Sequence, residues 1–441
     1  MPLPELGRAT QAAIYRAGTY GRRPRVPTNA QELEEAARRV MSRRAFAYVA
    51  GSAGGESTAR ANLAAFDRWR VLPRMLVDTG ERDQSVELLG RRHESPIVVA
   101  PIGVLSAAHS AADVAVARAA RAQNVLPVLS TQASVPMEEV AAALDGWGHW
   151  YQLYWSRDDD LVESLVHRAE ACGSEAIVVT LDTAYLGWRP RDLDLGHLPF
   201  ARGEGIAQYT SDPVFGRLVE QRVAAKRVAT ASGEEPEPQP RPNAAAVRSL
   251  VSLSRNHPGG VRDNLSSPYP RAAVETFLEV FSKPSLSWTD LPRLRRMTSL
   301  PVVLKGILHP DDARRAVAEG VDGILVSNHG GRQVDRSVAA LDALPGVVDA
   351  VRGTGSAVPV LFDSGVRSGA DVFVALALGA DAVGIGRPHV YGLALAGEEG
   401  VAEVLRNIRA ELDLTMALTG CRTLADVTRD LLVEAPTTRE P

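Results

Sequence analysis

The sequence predicts an α/β protein built on a (β/α)8 TIM barrel, with an N-terminal helical extension and a long insertion after strand 4. Near-continuous apolar runs alternate with amphipathic stretches, a pattern typical of parallel sheets that are covered on both faces. Eight such units favour a closed barrel over an open doubly wound sheet. Nearly every predicted strand ends in a polar residue or a glycine, as expected at the catalytic rim of a barrel.

Each strand is predicted where an apolar, β-branched run stops at such a rim residue. Helical patterns such as AADVAVARAARAQ and DDARRAVAEG separate these runs. A weak internal repeat, in which PVVLKG and a helix resemble PVLFDSG and the helix after it, fits a barrel of stacked units. The predicted strands are residues 95–103, 125–131, 147–154, 175–182, 301–307, 323–329, 359–365 and 382–387.

The remainder of the chain is divided around this barrel. Residues 1–94 are predicted to supply an arm, over about 1–27, and helices that pack on the barrel, the first capped by Thr28 or Asn29. The barrel spans 95–430, and 431–441 form a tail. An insertion lies between strands four and five, with a lid-like part at about 195–268. Its segment ASGEEPEPQPRPNAAA predicts extended polyproline and disorder. A lid and a tolerated linker are both open interpretations.

The composition argues against several classes of protein. Hydrophobic residues make up 45% and charged residues 23%, which is typical of a soluble globular protein. A net charge of −4 gives no support for a nucleic-acid partner. Only Cys172 and Cys421 are present, so a disulfide framework is not expected. With neither a secretory signal nor a membrane-length apolar run, we predict a cytoplasmic protein that does not bind membranes. The nine histidines form no HxxxH pair, and no metal site is predicted.

The segment SNHGGRQVD, at 327–335, carries the strongest catalytic signal. His329 is a candidate base and Arg332 a candidate anion clamp, while Gly330 and Gly331 permit a sharp turn and a close approach to a ligand. For HGG alone, an ordinary glycine turn with a structural histidine is an equally good interpretation. Asp182, at the end of strand four, could orient His329 and stabilise its protonated form.

Two glycine–arginine pairs predict a phosphate site. Gly365 and Arg367 follow strand seven, and Gly386 and Arg387 follow strand eight. Backbone N–H groups at glycines, helix N-termini and arginine forks all favour anions, and barrels often hold phosphate at this position. A phosphorylated cofactor or substrate is therefore expected.

Other polar strand ends suit a flat heterocycle and a carboxylate. Gln152 and Thr180 could pair with imide-like edges, and Lys305 could face a ring that gains negative charge on reduction. A Schiff-base lysine of an aldolase is the rival interpretation of Lys305. Arg189, in GWRPRD, could join Arg332 in a carboxylate clamp.

Several of these motifs together resemble a known family. SNHGGRQVD, YQLY, LDTAYLGWRPRD, PVVLKGI, FDSGVRSGADV and GIGRP resemble the FMN-dependent L-2-hydroxy acid oxidase/dehydrogenase family, the group of glycolate and lactate oxidases. RMLVDTGERDQSVELLG, APIGV, LGWRPRDL, SDPVFG and LKGILHPDDARRAVAEGVDGI are closest to its bacterial lactate 2-monooxygenase branch. The resemblance covers about 40–430 apart from the proline-rich segment. It implies an enzyme that oxidises a small L-2-hydroxy acid with FMN and O2, with oxidative decarboxylation in that branch, and a homotetramer or larger assembly.

The resemblance also implies roles for individual residues. His329 corresponds to the catalytic base, Asp182 to its partner, and Arg189 and Arg332 to the carboxylate clamp. Tyr48 and Tyr154 correspond to tyrosines that hydrogen-bond the substrate. The implied FMN contacts are Pro101, Ile102, Gly103, Ser130, Gln152, Thr180, Lys305, Ser327, Asp363, Gly365, Arg367, Gly386 and Arg387.

Two positions depart from the family pattern. Gly103 replaces the alanine of glycolate oxidase, as in the monooxygenase, which leaves room beside the flavin. Gln132 stands where related enzymes carry tryptophan or leucine near the substrate side chain. A simple oxidase or dehydrogenase acting on a larger or more polar hydroxy acid is therefore an alternative to the monooxygenase. An aldolase barrel and a non-catalytic flavin-binding protein are more distant alternatives.

Overall fold

The computed structural model describes residues 5–232 and 243–435 and confirms the predicted barrel. Eight parallel strands close into one sheet in the order β10-β11-β4-β5-β6-β7-β8-β9. In the described residues the strands are β1 (Trp69–Val71), β2 (Val86–Leu88), β3 (Arg91–His93), β4 (Ile97–Val99), β5 (Leu126–Ser130), β6 (His149–Leu153), β7 (Ser174–Thr180), β8 (Val302–Lys305), β9 (Gly323–Val326), β10 (Val360–Phe362), β11 (Ala382–Ile385) and β12 (Leu432–Glu434).

Helices surround the barrel on the outside. Asn29, one of the two predicted caps, accepts hydrogen bonds from the backbone N–H groups of Gln31 and Glu32 at the start of α2. The α-helices of the described residues are α1 (Leu6–Thr19), α2 (Ala30–Val40), α3 (Arg43–Ala50), α4 (Ser57–Asp67), α5 (Ala112–Ala122), α6 (Met137–Leu144), α7 (Asp159–Ala171), α8 (Pro190–Leu193), α9 (Ala207–Thr210), α10 (Pro213–Ala231), α11 (Ala244–Asn256), α12 (Val261–Ser266), α13 (Tyr269–Val280), α14 (Leu291–Met297), α15 (Pro310–Ala318), α16 (Ala340–Arg352), α17 (Gly369–Ala377) and α18 (Arg387–Thr419).

The observed barrel strands are shorter than the predicted ones because the rim residues leave the sheet. The sequence pattern predicts a strand over 323–329 that ends at His329, but β9 stops at Val326 and residues His329–Gly331 form a 3-10 turn. The rim residues are polar residues and glycines, and their backbone turns away from the hydrogen-bonded ladder of the sheet. The barrel interior itself is apolar and is closed at its N-terminal end by Leu88 of the β2–β3 hairpin, which is 1% exposed.

The first and last described segments of the chain pack more closely than their composition suggests. The stretch predicted as a surface arm contains α1, which packs on α18, and the Gly7 backbone N–H donates to Asp413. A Cβ at Gly7 would lie 2.5 Å from a side-chain carbon of Leu414, so only glycine allows this contact. Residues 432–434, at the start of the predicted tail, form β12 and pair antiparallel with β1.

The insertion after β7 is largely helical where it is described. Helix α10 packs on α13, and α11 packs on a 3-10 turn at Pro199–Arg202. An aromatic cluster joins these parts: the rings of Phe200 and Phe277 lie 5.1 Å apart, and those of Phe277 and Tyr209 lie 4.8 Å apart. The segment predicted as extended polyproline and disorder covers residues 231–246, of which 233–242 lie outside the described residues. The prediction is wrong at its C-terminal end, where Asn243 caps α11 and Ala244–Ala246 form its first turn.

The N-terminal extension is fastened to the segment 327–335. The Asp335 carboxylate accepts hydrogen bonds from the backbone N–H groups of Gly55, at 2.7 Å, and Ser57, at 2.8 Å. Asn62 of α4 and Asn328 exchange amide hydrogen bonds of 2.8 and 2.7 Å, and both side chains are buried. Buried amides that satisfy each other fix geometry, so the extension and the rim form one rigid unit.

Candidate active site

One cavity opens at the C-terminal ends of the barrel strands, the position where barrel enzymes bind their ligands. The extension contributes Tyr48 to its wall, and the insertion contributes Phe200. The structure brings the following predicted site residues together in its lining: Tyr48, Pro101, Ile102, Gly103, Gln132, Tyr154, Arg189, Lys305, His329, Arg332, Asp363, Gly365, Arg367, Gly386 and Arg387.

His329 and Asp182 meet across the barrel mouth. His329 Nδ1 lies 2.8 Å from Asp182 Oδ1, and Thr183 Oγ1 donates to the same carboxylate oxygen over 2.9 Å. A carboxylate at Nδ1 favours the tautomer with the proton on that nitrogen, which leaves Nε2 as the basic nitrogen. His329 has a φ of 57°, uncommon for a non-glycine residue, and two glycines with positive φ follow it.

The turn after His329 needs its glycines. A Cβ at Gly331, which has a φ of 79°, would lie 2.6 Å from the backbone nitrogen of Ala59 in α4. The sharp turn predicted from HGG is therefore observed, and it lets the extension approach the rim closely.

The charges around Asp182 set the protonation of the pair. Burial lowers the pKa of His329 below its ordinary value, although the Asp182 carboxylate opposes this effect. Burial alone would raise the pKa of Asp182, but Lys305 and His329 outweigh it and hold that pKa well below the usual range. At neutral pH the pair therefore consists of a neutral imidazole and a carboxylate, the form that can accept a proton.

Lys305 is a buried cation with several oxygen partners. Its Nζ lies 2.8 Å from Ser327 Oγ, 3.5 Å from Asp182 and 3.7 Å from Asp363. Burial would lower the pKa of Lys305, but the two carboxylates outweigh it and raise that pKa above its ordinary value. A Schiff-base lysine requires a neutral amine, so these surroundings argue against the aldolase interpretation.

Two arginines form a cationic end of the cavity. Arg189 donates to Gln333 Oε1 over 2.6 Å and to the backbone carbonyl of Arg332 over 3.1 Å. The Arg332 guanidinium lies 5.0 Å from the centre of the Tyr48 ring. Burial, and next the Arg332 charge, lower the pKa of Arg189 to about 10. A bound carboxylate would offset this repulsion, as the predicted clamp requires.

A second part of the cavity lining, formed by the residues that follow β10 and β11, fits a phosphate. Gly365 has a φ of 94°, and a Cβ there would lie 2.5 Å from the carbonyl oxygen of Asn62. The long helix α18 begins at Arg387, directly after Gly386. Burial, and next the Arg367 charge, lower the pKa of Arg387 to about 10. Two arginines, a helix N-terminus and a glycine cradle form a complementary site for a phosphate group.

Four predicted cofactor contacts lie outside the cavity lining. Ser130 Oγ donates to Gln152 Oε1 over 3.1 Å, and Gln152 Nε2 donates to Thr180 Oγ1 over 2.9 Å, so these buried side chains bond one another. Ser327 bonds Lys305. Asp182 lines a neighbouring cavity together with Thr180 and Tyr154. The predicted direct ring contacts of Ser130, Gln152 and Thr180 stay predictions, since the structure shows these three residues satisfying one another.

Several site residues were missed by the sequence reasoning. Thr183, Gln333, Ser364 and Phe200 all contact or line the site. Thr183 directly follows Asp182, and Gln333 directly follows Arg332. Because both neighbours are predicted site residues, adjacency in the sequence could have indicated Thr183 and Gln333 as well. Ser364 Oγ accepts the backbone N–H of Gly330 over 3.0 Å, and no sequence pattern announces this contact. Phe200 comes from the insertion, where no motif predicted which residues would reach the site.

Comparisons with known proteins agree with this geometry. A family described as FMN-dependent dehydrogenase matches residues 37–434. The chain belongs to this family. It is therefore an FMN-dependent hydroxy acid oxidoreductase, and the phosphate cradle, the cavity and Lys305 fit FMN.

Individual relatives extend over nearly the whole chain. An FMN-dependent alpha-hydroxy acid dehydrogenase of Penicillium citrinum is 41% identical over 423 residues, covering 96% of this chain and 94% of its own. An L-lactate oxidase of Lysinibacillus sphaericus is 38% identical, with 91% and 92% covered. A crystal structure of mandelate oxidase with (S)-4-hydroxymandelic acid superposes with a TM-score of 0.73 at 35% identity, covering 93% of this chain and 99% of the other.

In 5–232 and 243–435, no group of three or more histidine, cysteine, aspartate or glutamate side chains is placed to hold a metal ion. Over the same ranges, no helix combines the length and the apolar character that crossing a membrane would require.

Proposed function

We propose that this FMN-dependent oxidoreductase oxidises a small L-2-hydroxy acid to its 2-oxo acid and passes the electrons to O2. The single observation that carries the proposal is the placement of a neutral His329 imidazole, paired with the Asp182 carboxylate, and two arginines in the wall of, or directly against, one cavity. A base and a carboxylate clamp at one site are what this substrate class needs. A purely structural barrel would need neither.

The clamp fixes the substrate's orientation. Arg189 and Arg332 hold the substrate carboxylate, while Tyr48 and Tyr154 hydrogen-bond its oxygens. Burial raises the pKa of Tyr154 to about 12, with Asp182 adding to the effect, so this hydroxyl stays protonated and can donate. Positioning of this kind replaces a bimolecular encounter with a bound, near-attack geometry.

The Nε2 atom of His329 then accepts the proton of the substrate's 2-hydroxyl group, and Asp182 stabilises the imidazolium that results. When bound, FMN would supply the two-electron acceptor for oxidation of the substrate at its 2-position, with O2 as the final acceptor. Lys305 places its fixed positive charge in the wall of the cofactor cavity, where negative charge on the ring is stabilised.

The fate of the 2-oxo acid distinguishes an oxidase from a decarboxylating monooxygenase. If the product stays bound while peroxide forms, peroxide attacks it and gives a shortened acid, CO2 and water. Early release gives a simple oxidase. The motifs similar to lactate 2-monooxygenase favour retention, and the packed Phe200 cluster against Tyr48 supports a closed pocket. Measuring acetate, pyruvate and peroxide after incubation with L-lactate and O2 separates the two outcomes.

The proposal is tested by mixing the holoenzyme anaerobically with a series of L-2-hydroxy acids and following loss of flavin absorbance. We expect bleaching with the L isomers and almost none with His329→Ala, whose flavin content should stay normal. If no L-2-hydroxy acid bleaches the flavin, the proposal is wrong.

A cytoplasmic location and a homotetramer or larger assembly belong to the same proposal. Both cysteines of the chain are free, which supports a reducing compartment. Exposed apolar side chains at Met75, Leu76, Tyr185 and Trp188 support subunit contacts. Light scattering would give the mass of the assembly, and a monomer in solution would contradict it.

A further inference from the structure

Gln132 presents a buried, unpartnered amide to the substrate cavity. The residue is 6% exposed and lines the same cavity as His329 and Arg332. Among the described residues, its Nε2 has no hydrogen-bond partner. A buried amide without a partner costs free energy, so the position is unfavourable unless a ligand completes it.

Gly103 makes the space that this amide occupies. A Cβ at Gly103 would lie 2.8 Å from Cβ and 3.3 Å from Oε1 of Gln132. The two departures from the family pattern are therefore one structural feature, because any larger residue at 103 would displace the amide.

Hydrogen bonds from several parts of the structure hold the loop that carries Gln132. Its own backbone N–H donates to Ser130 Oγ over 3.1 Å, and its carbonyl accepts from Val104 over 2.9 Å. Asp113 of α5 accepts the Ser134 backbone N–H over 2.8 Å. These bonds fix the backbone from which the Gln132 side chain extends.

The insertion also holds this loop in place. Gln208 of α9 is fully buried, accepts the Met137 backbone N–H over 2.9 Å and donates to the Val135 carbonyl over 3.1 Å. Its amide bridges the two residues around Pro136 as a neighbouring strand would. The first part of the insertion therefore builds the substrate wall, which a tolerated linker would not do.

We propose that Gln132 recognises an oxygen atom on the substrate side chain, so that the preferred substrates are L-2-hydroxy acids with a hydroxyl, carbonyl or carboxylate oxygen beyond C3. This inference rests on the proposed function, because it concerns the same cavity. The fixed amide pairs with the substrate oxygen, whereas an alkyl side chain leaves it unpaired and loses affinity.

Two substrates of equal shape test it. L-2,4-Dihydroxybutanoate and L-2-hydroxypentanoate differ by a hydroxyl in place of a methyl group. We expect the wild-type enzyme to prefer the dihydroxy acid by about tenfold or more in kcat/KM. Gln132→Met, which keeps the length of the side chain, should abolish or reverse that ratio. Gln123→Leu, a half-buried glutamine at the other end of the barrel, should leave the ratio unchanged.

A binding measurement separates this inference from the proposed function. Calorimetry on the wild-type holoenzyme with 4-hydroxybutanoate and pentanoate, which cannot be oxidised, should show tighter binding of the hydroxy compound. Equal affinities would overturn the inference, and so would a Gln132→Met enzyme with an unchanged substrate ratio but weakened FMN retention, since the amide would then serve the cofactor. A clear binding preference without flavin reduction by any hydroxy acid would support the role of Gln132 and overturn the proposed function instead.

Discussion

Asp182 Oδ1 lies 2.8 Å from His329 Nδ1, although 147 positions separate the two residues in the chain. They follow β7 and β9, the two strands on either side of β8, whose last residue is Lys305. The carboxylate therefore stands between a base and a fixed cation, and its charge serves both. This relationship explains why Asp182 stays ionised in a buried site and why His329 is held in one tautomer.

Replacing Asp182 with asparagine should lower kcat by about 10²- to 10⁴-fold, because the imidazole loses its fixed tautomer and the imidazolium its counter-charge. Since burial lowers the pKa of His329, wild-type kcat/KM should stay constant as the pH falls to about 6.5 and decline only below it. Loss of the carboxylate removes the charge that raises this pKa, so the decline should move to lower pH in the variant. The exposed Asp311→Asn serves as a control with a wild-type profile, and an unchanged profile in Asp182→Asn would contradict the pairing.

Arg189→Lys should raise KM for the hydroxy acid about 10- to 100-fold, because an ammonium group cannot reproduce the planar fork that holds a carboxylate. The dissociation constant of a non-reacting carboxylate, measured by flavin difference spectra, should rise in parallel. The matched control is Arg191→Lys. Arg191 lies two positions after Arg189 and forms an ion pair with Glu56 at the surface. Similar KM values in the two variants would remove Arg189 from the clamp.

Lys305→Met should destabilise the protein by about 3–5 kcal/mol, since Asp182 and Asp363 would lose the buried cation between them. The flavin-to-protein ratio after gel filtration should also fall. Lys226→Met removes an exposed lysine of α10 and should cost less than about 1 kcal/mol. Urea unfolding measures the stability of both variants. Equal losses would contradict the role of Lys305 as the buried cation between the two carboxylates.

Asp113→Asn should change how stability depends on pH. Burial, opposed by backbone N–H groups, raises the pKa of Asp113 to about 7 from an ordinary value of 3.8. Between these values the folded protein holds a proton that the unfolded chain has released, so its stability falls as the pH rises from 4 to 7. The loss attributable to Asp113 is about 4 kcal/mol.

The asparagine variant cannot titrate, and its amide oxygen can still accept from Ser134. Its unfolding free energy should therefore lack this decline, whereas the exposed Asp145→Asn should keep it. Identical pH dependence in Asp113→Asn and the wild type would show that Asp113 is ionised throughout. Chemical denaturation at several pH values makes the comparison.

The sequence by itself determined the barrel and most of the residues around its cavity. Hydrophobic periodicity is a local property, so the eight buried strands could be located, with errors only where rim residues leave the ladder. Parallel strands bring their carboxyl ends to one face, and this rule alone places His329, Lys305, Asp363 and Arg387 near each other. The glycine–arginine pairs indicated the phosphate end for the same reason.

Only the tertiary structure decided which side chains meet. Asp182 with His329, Asn62 with Asn328, and Gln208 with the loop around Pro136 are contacts between distant segments, fixed by barrel closure and by packing of the insertion. The sequence placed Gln132 near the substrate, but its buried, unpaired amide became evident only with the loop in place. Such pairings depend on three-dimensional distances and on desolvation, and neither quantity is encoded in local periodicity.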